Sequence, residues 1–262
     1  MPANTSPSAQ TAPPQPKSGE ALPAPAANPL DTAFEALKKY DWGQDPQVLQ
    51  AIEKSRSASK NDPAGRKDLE VRLTAILKTD APLAAKQYAC RALSRIGTAD
   101  SVPVLAALLA DEALSHMGRL ALERMPCPEA AGALRSALPQ LKGALKIGLI
   151  HTLAARRDLE SVPSLAALLA DPAPETAAAA AAALGVLGTP EAAKALRVFL
   201  EKAPKEALGA AAEGSLACAE RLAVNGEKGL ALEIYQALSS PQQPPHVRQA
   251  ATLGLTAAGP GK

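Results

Sequence analysis

Three histidines, three cysteines and six aromatic residues are the side chains in this 262-residue chain best suited to chemistry. Catalysis and metal binding both need such groups to converge, and here they are scattered. His116, His151 and His246 are followed by Met, Thr and Val, and no Glu adjoins any of them. Cys90, Cys127 and Cys218 are an odd number with no CxxC and no His pair nearby, which supports neither a disulfide framework nor a zinc site. They read as reduced, mostly buried apolar fillers. A groove that stacks on nucleic-acid bases needs clustered aromatics among basic residues. The single Trp42 stands far from Tyr88 and Tyr235, so no nucleic-acid partner is expected. No P-loop, GxSxG elbow or dinucleotide fingerprint is present. The sequence therefore assigns no catalytic residue, no metal and no cofactor.

What remains is charge and its placement. The 28 basic and 26 acidic residues nearly balance, but unevenly: residues 64–157 hold 14 Lys or Arg against 8 Asp or Glu, and residues 158–262 hold 8 against 11. A charge that differs between halves invites a local binding argument rather than a global one.

The elements that position those charges follow from composition. Hydrophobic residues make up 47% of the chain and aromatics only 2%, so the core is built of Leu and Ala. These two head the helix propensity scale, whereas strands favour β-branched and aromatic residues, which predicts an all-helical protein. Residues 1–30, rich in Pro, Ala and Ser, lack both helical periodicity and the apolar stretch of a signal peptide, and are expected to be a disordered tail. No apolar run reaches the eighteen or so residues of a membrane span, so the chain reads as soluble and cytoplasmic. Ser8-Ala9-Gln10 before a Pro-rich stretch resembles the start of a mature exported protein, which leaves an upstream leader and export as the alternative.

Internal repetition is the strongest signal. Ser101 to Asp111, SVPVLAALLAD, recurs as Ser161 to Asp171, SVPSLAALLAD, with one difference. Halving that interval exposes six copies of an amphipathic segment. Their last apolar column is Leu93, Leu122, Leu153, Leu184, Leu216 and Leu255, and their small-residue column is Ala89, Gly118, Leu149, Ala180, Ala212 and Ala251. The first column is Ala85, Leu114, Leu145, Thr176, Leu208 and Val247. Apolar positions at i, i+4 and i+8 define one helix face. The last, longer step marks an insertion around Leu222 to Gly229. A second amphipathic segment with a Leu-x-x-Leu-Leu core precedes several copies, as in Leu105, Leu108 and Leu109, so the unit is a helical hairpin. Pro103, Pro128, Pro163 and Pro190 mark first-helix starts, while Asp80, Asp111 and Asp171 stand where a side chain can cap a second helix. Hairpins are expected over 63–262, behind an N-terminal helical cap over 31–62 with helices at Asp31 to Tyr40 and Asp45 to Ser57.

The pattern Pro-x-Leu-x-x-Leu-Leu, an Asp turn, then Val-Arg-x-x-Ala-x-x-Ala-Leu-Gly resembles HEAT repeats of the short bacterial type. His246-Val247-Arg248-Gln249-Ala250-Ala251 is the copy that follows it best. The period of about 31 is shorter than that of long HEAT units. The resemblance implies an all-α fold, an α-solenoid: a right-handed superhelix of stacked antiparallel hairpins whose second helices line the concave side. HEAT-type iron hydroxylases carry paired His-Glu dipeptides, which this sequence lacks. On the expected concave side stand Lys86, Gln87, Arg91 and Arg95, then His116, Arg119 and Arg124, then Lys146 and His151, with Arg156 and Arg157 following. Later copies offer Ala177 and Ala178, then Glu213 and Glu220. The reading is a non-enzymatic scaffold or adaptor whose positive half receives an acidic segment of an unidentified protein partner, steered by long-range attraction. The alternative is a HEAT-like lyase or an accessory subunit of an exported oxidoreductase assembly. The apolar last helix, with Leu253 and Leu255, adds an expectation of self-association through the C-terminal repeat.

Overall fold

Helix starts in this chain are set by prolines and short polar caps. Asp62 accepts from the Gly65 amide at 3.0 Å and Thr189 from the Ala192 amide at 3.1 Å, each ahead of a proline at the first helical position. Asp111 caps its turn through Ala113 and Leu114, and Asp171 through Ala173. Asp80 makes no such bond among the described residues.

The computed structural model describes residues 28–258. Residues 1–27, which hold most of the expected disordered tail, lie outside them, as do 259–262. The tail's expected last residues are helical. Asn28 caps the Leu30 amide at 3.0 Å and Pro29 follows it, so the first helix begins two residues before the expected Asp31.

Among the described residues there are fourteen α-helices and no strand. Helices α1 (Pro29–Leu37) and α2 (Gln50–Ala58) come first. They are followed by α3 (Pro63–Leu77) with α4 (Leu83–Ile96), α5 (Val102–Ala107) with α6 (Ser115–Arg124), and α7 (Pro128–Ala137) with α8 (Gly143–Ala155). Next come α9 (Val162–Ala167) with α10 (Pro174–Leu187), α11 (Pro190–Lys202) with α12 (Leu208–Val224), and α13 (Lys228–Leu238) with α14 (Pro245–Ala258). The two copies of the eleven-residue motif fold alike. Each gives a 3₁₀ turn, a six-residue helix and a second 3₁₀ turn, and Ser101 and Ser161 are buried at the same place, each donating to a carbonyl three residues back.

The chain is an all-α solenoid. The second helices α4, α6, α8, α10, α12 and α14 pack in one continuous row, and α5, α7, α9, α11 and α13 form a looser outer row. Leu93, Leu122, Leu153 and Leu184 are all fully buried between the rows, as are Ala89, Leu149, Ala180, Ala212 and Ala251. The rule breaks in α12. Leu208 is 43% exposed and Leu216 half-buried, while Ala211, Cys218, Ala219 and Leu222 are buried. Gly226 is left-handed four residues after Leu222 and the Glu227 amide bonds back to Leu222, as Arg157 and Asp158 stand to Leu153, so Leu222 and not Leu216 holds the place of Leu153 at the helix end.

Close backbone approach explains the alanine-rich α10. A Cβ on Gly185 would lie 2.6 Å from the Gly214 carbonyl oxygen, and one on Gly214 would lie 2.6 Å from that of Ala181. Only small residues let α10 and α12 meet this closely. Gly188 ends α10 in the left-handed region at φ 58°, where glycine costs least. Arg157 holds the equivalent left-handed place after α8, at φ 54°, with the Asp158 amide bonded back to Leu153 and its own to Ala154.

Candidate protein-interaction surface

The outward ridge of the second helices can be read from the buried leucines. Two residues before Leu93, Leu122, Leu153 and Leu184 stand Arg91, Leu120, His151 and Ala182; two after stand Arg95, Arg124, Ala155 and Val186. Six before stand Gln87, His116, Ile147 and Ala178. Arg91, Arg95, His116, Arg124 and His151 are exposed, while Lys86 and Gln87 are half-buried at the edge of the same face. None of Lys86, Arg91, Arg95, His116 or Arg124 forms an ion pair among the described residues. By contrast Arg56, Lys67, Arg72 and Arg135 all do.

Three of the expected surface cations are used inside the stack. Arg119 lies across α8, donating to the Gly148 carbonyl at 3.0 Å and more weakly to the Thr152 hydroxyl at 3.4 Å. Its guanidinium rests where a Cβ on residue 148 would be, 2.7 Å from the Arg119 Cζ. Burial lowers its pKa against the opposing pull of Glu123, and its Nε is buried without an acceptor. Lys146 pairs with Asp171 at 3.3 Å, both side chains largely covered, which ties α8 to the turn before α10. Arg156 is likewise internal: it donates to the carbonyls of Leu122, Glu123 and Met125 and so caps the end of α6. Sequence spacing places these side chains on the right face but does not reveal that each is long enough to reach the next repeat. Ala177, expected on the surface, is buried at 3% exposure.

A network the sequence does not announce borders the basic end. Glu53 of α2 accepts from Tyr88 Oη at 2.7 Å and from Arg56 Nη2 at 2.6 Å, joining α2 to α4. Partial burial raises the Glu53 carboxyl, but the bonds from Arg56 and Tyr88 and the charges of Arg56 and Arg95 outweigh it and hold it below its ordinary value. Burial, then the Glu53 bond and charge, push the Tyr88 phenol upward. Only contact across 35 residues exposes this link.

The remaining reactive groups do not meet. Burial pushes the Cys90 and Cys218 thiols up to about 12 and keeps them protonated. Among the described residues no cluster of three His, Cys, Asp or Glu is placed to hold a metal ion, and no helix is long and apolar enough to cross a membrane. A separate concavity of about 840 Å³ opens between α9 and α11, floored by Leu169, Pro172, Val198 and Phe199 with Lys194 and Lys202 on its rim.

Comparison with known proteins supports the repeat reading. A family profile described as HEAT repeats matches residues 133–217, so that stretch of the chain is similar to HEAT repeats. No curated protein matches the sequence. Among solved structures, the complex of CpcE and CpcF of phycocyanin lyase from Nostoc sp. PCC7120 is similar at 20% identity over 94% of this chain and all of that one, with a TM-score of 0.42. Human deoxyhypusine hydroxylase in complex with glycerol is similar at 17% identity over 87% of this chain and 95% of that one, with a TM-score of 0.37. An engineered protein is 18% identical over 89% of this chain and 74% of its own, at 0.38. These similarities assign no activity or partner to this chain. They do correct one expectation. A non-enzymatic role does not follow from this fold, because the structures similar to it include a lyase and a hydroxylase.

Proposed function

We propose that this HEAT-repeat solenoid binds a protein partner along the second-helix face, with the basic half formed by α4 and α6 receiving an acidic segment. The observation that carries the reading is the set of exposed, unpaired arginines Arg91, Arg95 and Arg124 on adjacent helices. Exposed cations of one sign raise the encounter rate with an acidic partner more than they raise final affinity, and salt weakens the effect. Lys86 and Gln87 extend the patch, and His116 and His151 continue it toward α8. Arg119 and Lys146 contribute by holding α6, α8 and α10 in fixed relation. A repeat stack gives an extended surface suited to a partner segment.

The test is affinity capture from native extract, with the intact chain beside the triple reversal Arg91→Glu, Arg95→Glu and Arg124→Glu at two salt concentrations. The expected result is a protein retained at low salt by the intact chain and lost both on reversal and at high salt. Equal retention by the two chains would overturn the assignment of the basic half.

A further inference from the structure

The basic patch stops abruptly, and what replaces it is apolar. In the register that carries Arg91 and Arg95 on α4, α10 carries Ala182 and Val186, and α8 carries Ala155 after His151. Val186 is 41% exposed. Ile147 and Leu120 stand half-buried at the border between the two zones. Of the charges near this second zone, Lys146 is paired with Asp171 and Glu213 of α12 with His246, Glu175 lies in the first turn of α10, and Glu220 stands exposed on α12. The helix is alanine on its outward face as well as where α12 presses against it.

Resting on the reading that the α4 and α6 face binds an acidic protein segment, we infer that the partner segment is bipartite, with acidic residues followed by one or two large apolar side chains that settle on Ala182 and Val186. The acidic part meets Arg91, Arg95 and Arg124. Four neighbouring helices at about 8–10 Å spacing span roughly 24–30 Å, which an extended segment of about eight or nine residues at about 3.3 Å each can cover. The two parts contribute differently. The charged contact is exposed and screened by salt, whereas the apolar contact persists in salt because it removes surface from water.

The experiment uses the full chain and two fluorescein-labelled peptides, one with five Glu followed by Ser-Leu-Ala-Leu-Ser, the other with five Glu followed by five Ser. Fluorescence anisotropy is expected to show the Leu peptide binding about tenfold tighter, or about 1.4 kcal/mol, through apolar surface removed from water. The difference should survive a rise to about 0.5 M salt. Val186→Asp, or the milder Val186→Ser should the first disturb folding by circular dichroism, is expected to abolish that difference while leaving the Ser peptide unchanged. The Arg91, Arg95 and Arg124 reversal should weaken both peptides. Equal affinity for the two peptides, with both lost on reversal, overturns the bipartite partner and leaves the basic half intact as a binding surface. Binding of neither peptide, or binding indifferent to the reversal, overturns both.

Discussion

Arg119 shows how much one side chain's reach matters. Its guanidinium crosses from α6 to the Gly148 carbonyl, so reversing its charge puts a carboxylate against a carbonyl oxygen in a half-covered site. Arg119→Glu is therefore expected to destabilise the fold by about 2–3 kcal/mol, through an unsatisfied acceptor and like partial charges. The exposed Arg91→Glu should stay within about 0.5 kcal/mol. Urea midpoints of the two variants check this, and they decide which reversals report on binding alone. Glu53 carries a second prediction. Its pKa is lowered in the folded chain, so its contribution is present above the ordinary Glu range and is lost as pH falls through the lowered value. Tyr88→Phe removes one of the bonds responsible. It should cost about 1 kcal/mol or less near neutrality, because Glu53 is partly exposed, and the gap between the two proteins in thermal unfolding should narrow from pH 6 to pH 3.5. A gap that stays constant would show that Tyr88 acts by packing and not through Glu53.

Between elements, the governing fact is the approach of α10 to α12. Gly185 and Gly214 face backbone oxygens and not flexible side-chain ends, so an added methyl has nothing that can yield cheaply. Gly185→Ala improves local helix propensity by up to about 1 kcal/mol, yet it is expected to destabilise by about 1–3 kcal/mol net because the helices must separate. A raised denaturation midpoint would mean the helices have slack. The same pair shows where sequence reasoning works and where it slips. The Leu and Ala columns were legible from α4 to α10 because each helix there is linked by turns of nearly constant length. In α12 the Leu column fails: Leu216 is half-buried, and Leu222, which the spacing put in an insertion, is fully buried four residues before the left-handed Gly226.

Over the whole molecule, the two ends differ. At the N-terminal end α1 and α2 cover the first hairpin, with Phe34 and Leu37 buried, Arg72 bonded to Asp31 at 2.6 Å and set 5.5 Å over the Phe34 ring, and Tyr88 bonded to Glu53. At the other end Leu253 of α14 is 66% exposed and Leu255 only half-buried. A helix that leaves large apolar side chains uncovered gains less from burial and opens at lower free energy. Hydrogen exchange is expected to show α13 and α14 losing protection well before α8 and α10, with α4 nearer to the centre than to the C-terminal end. Uniform exchange would identify one cooperative unit.

The sequence by itself determined the all-helical solenoid, the hairpin unit and the buried leucine column from Leu93 to Leu184, because periodicity and helix-breaking residues act locally and successive repeats state them again. It also located a face rich in Lys, Arg and His. Tertiary structure decided which of those cations face solvent. Arg119, Lys146 and Arg156 turn inward because a long, flexible side chain finds carbonyls or a carboxylate in the adjoining repeat, and that choice depends on distances between helices that no spacing along the chain contains. The same distances brought Glu53 to Tyr88.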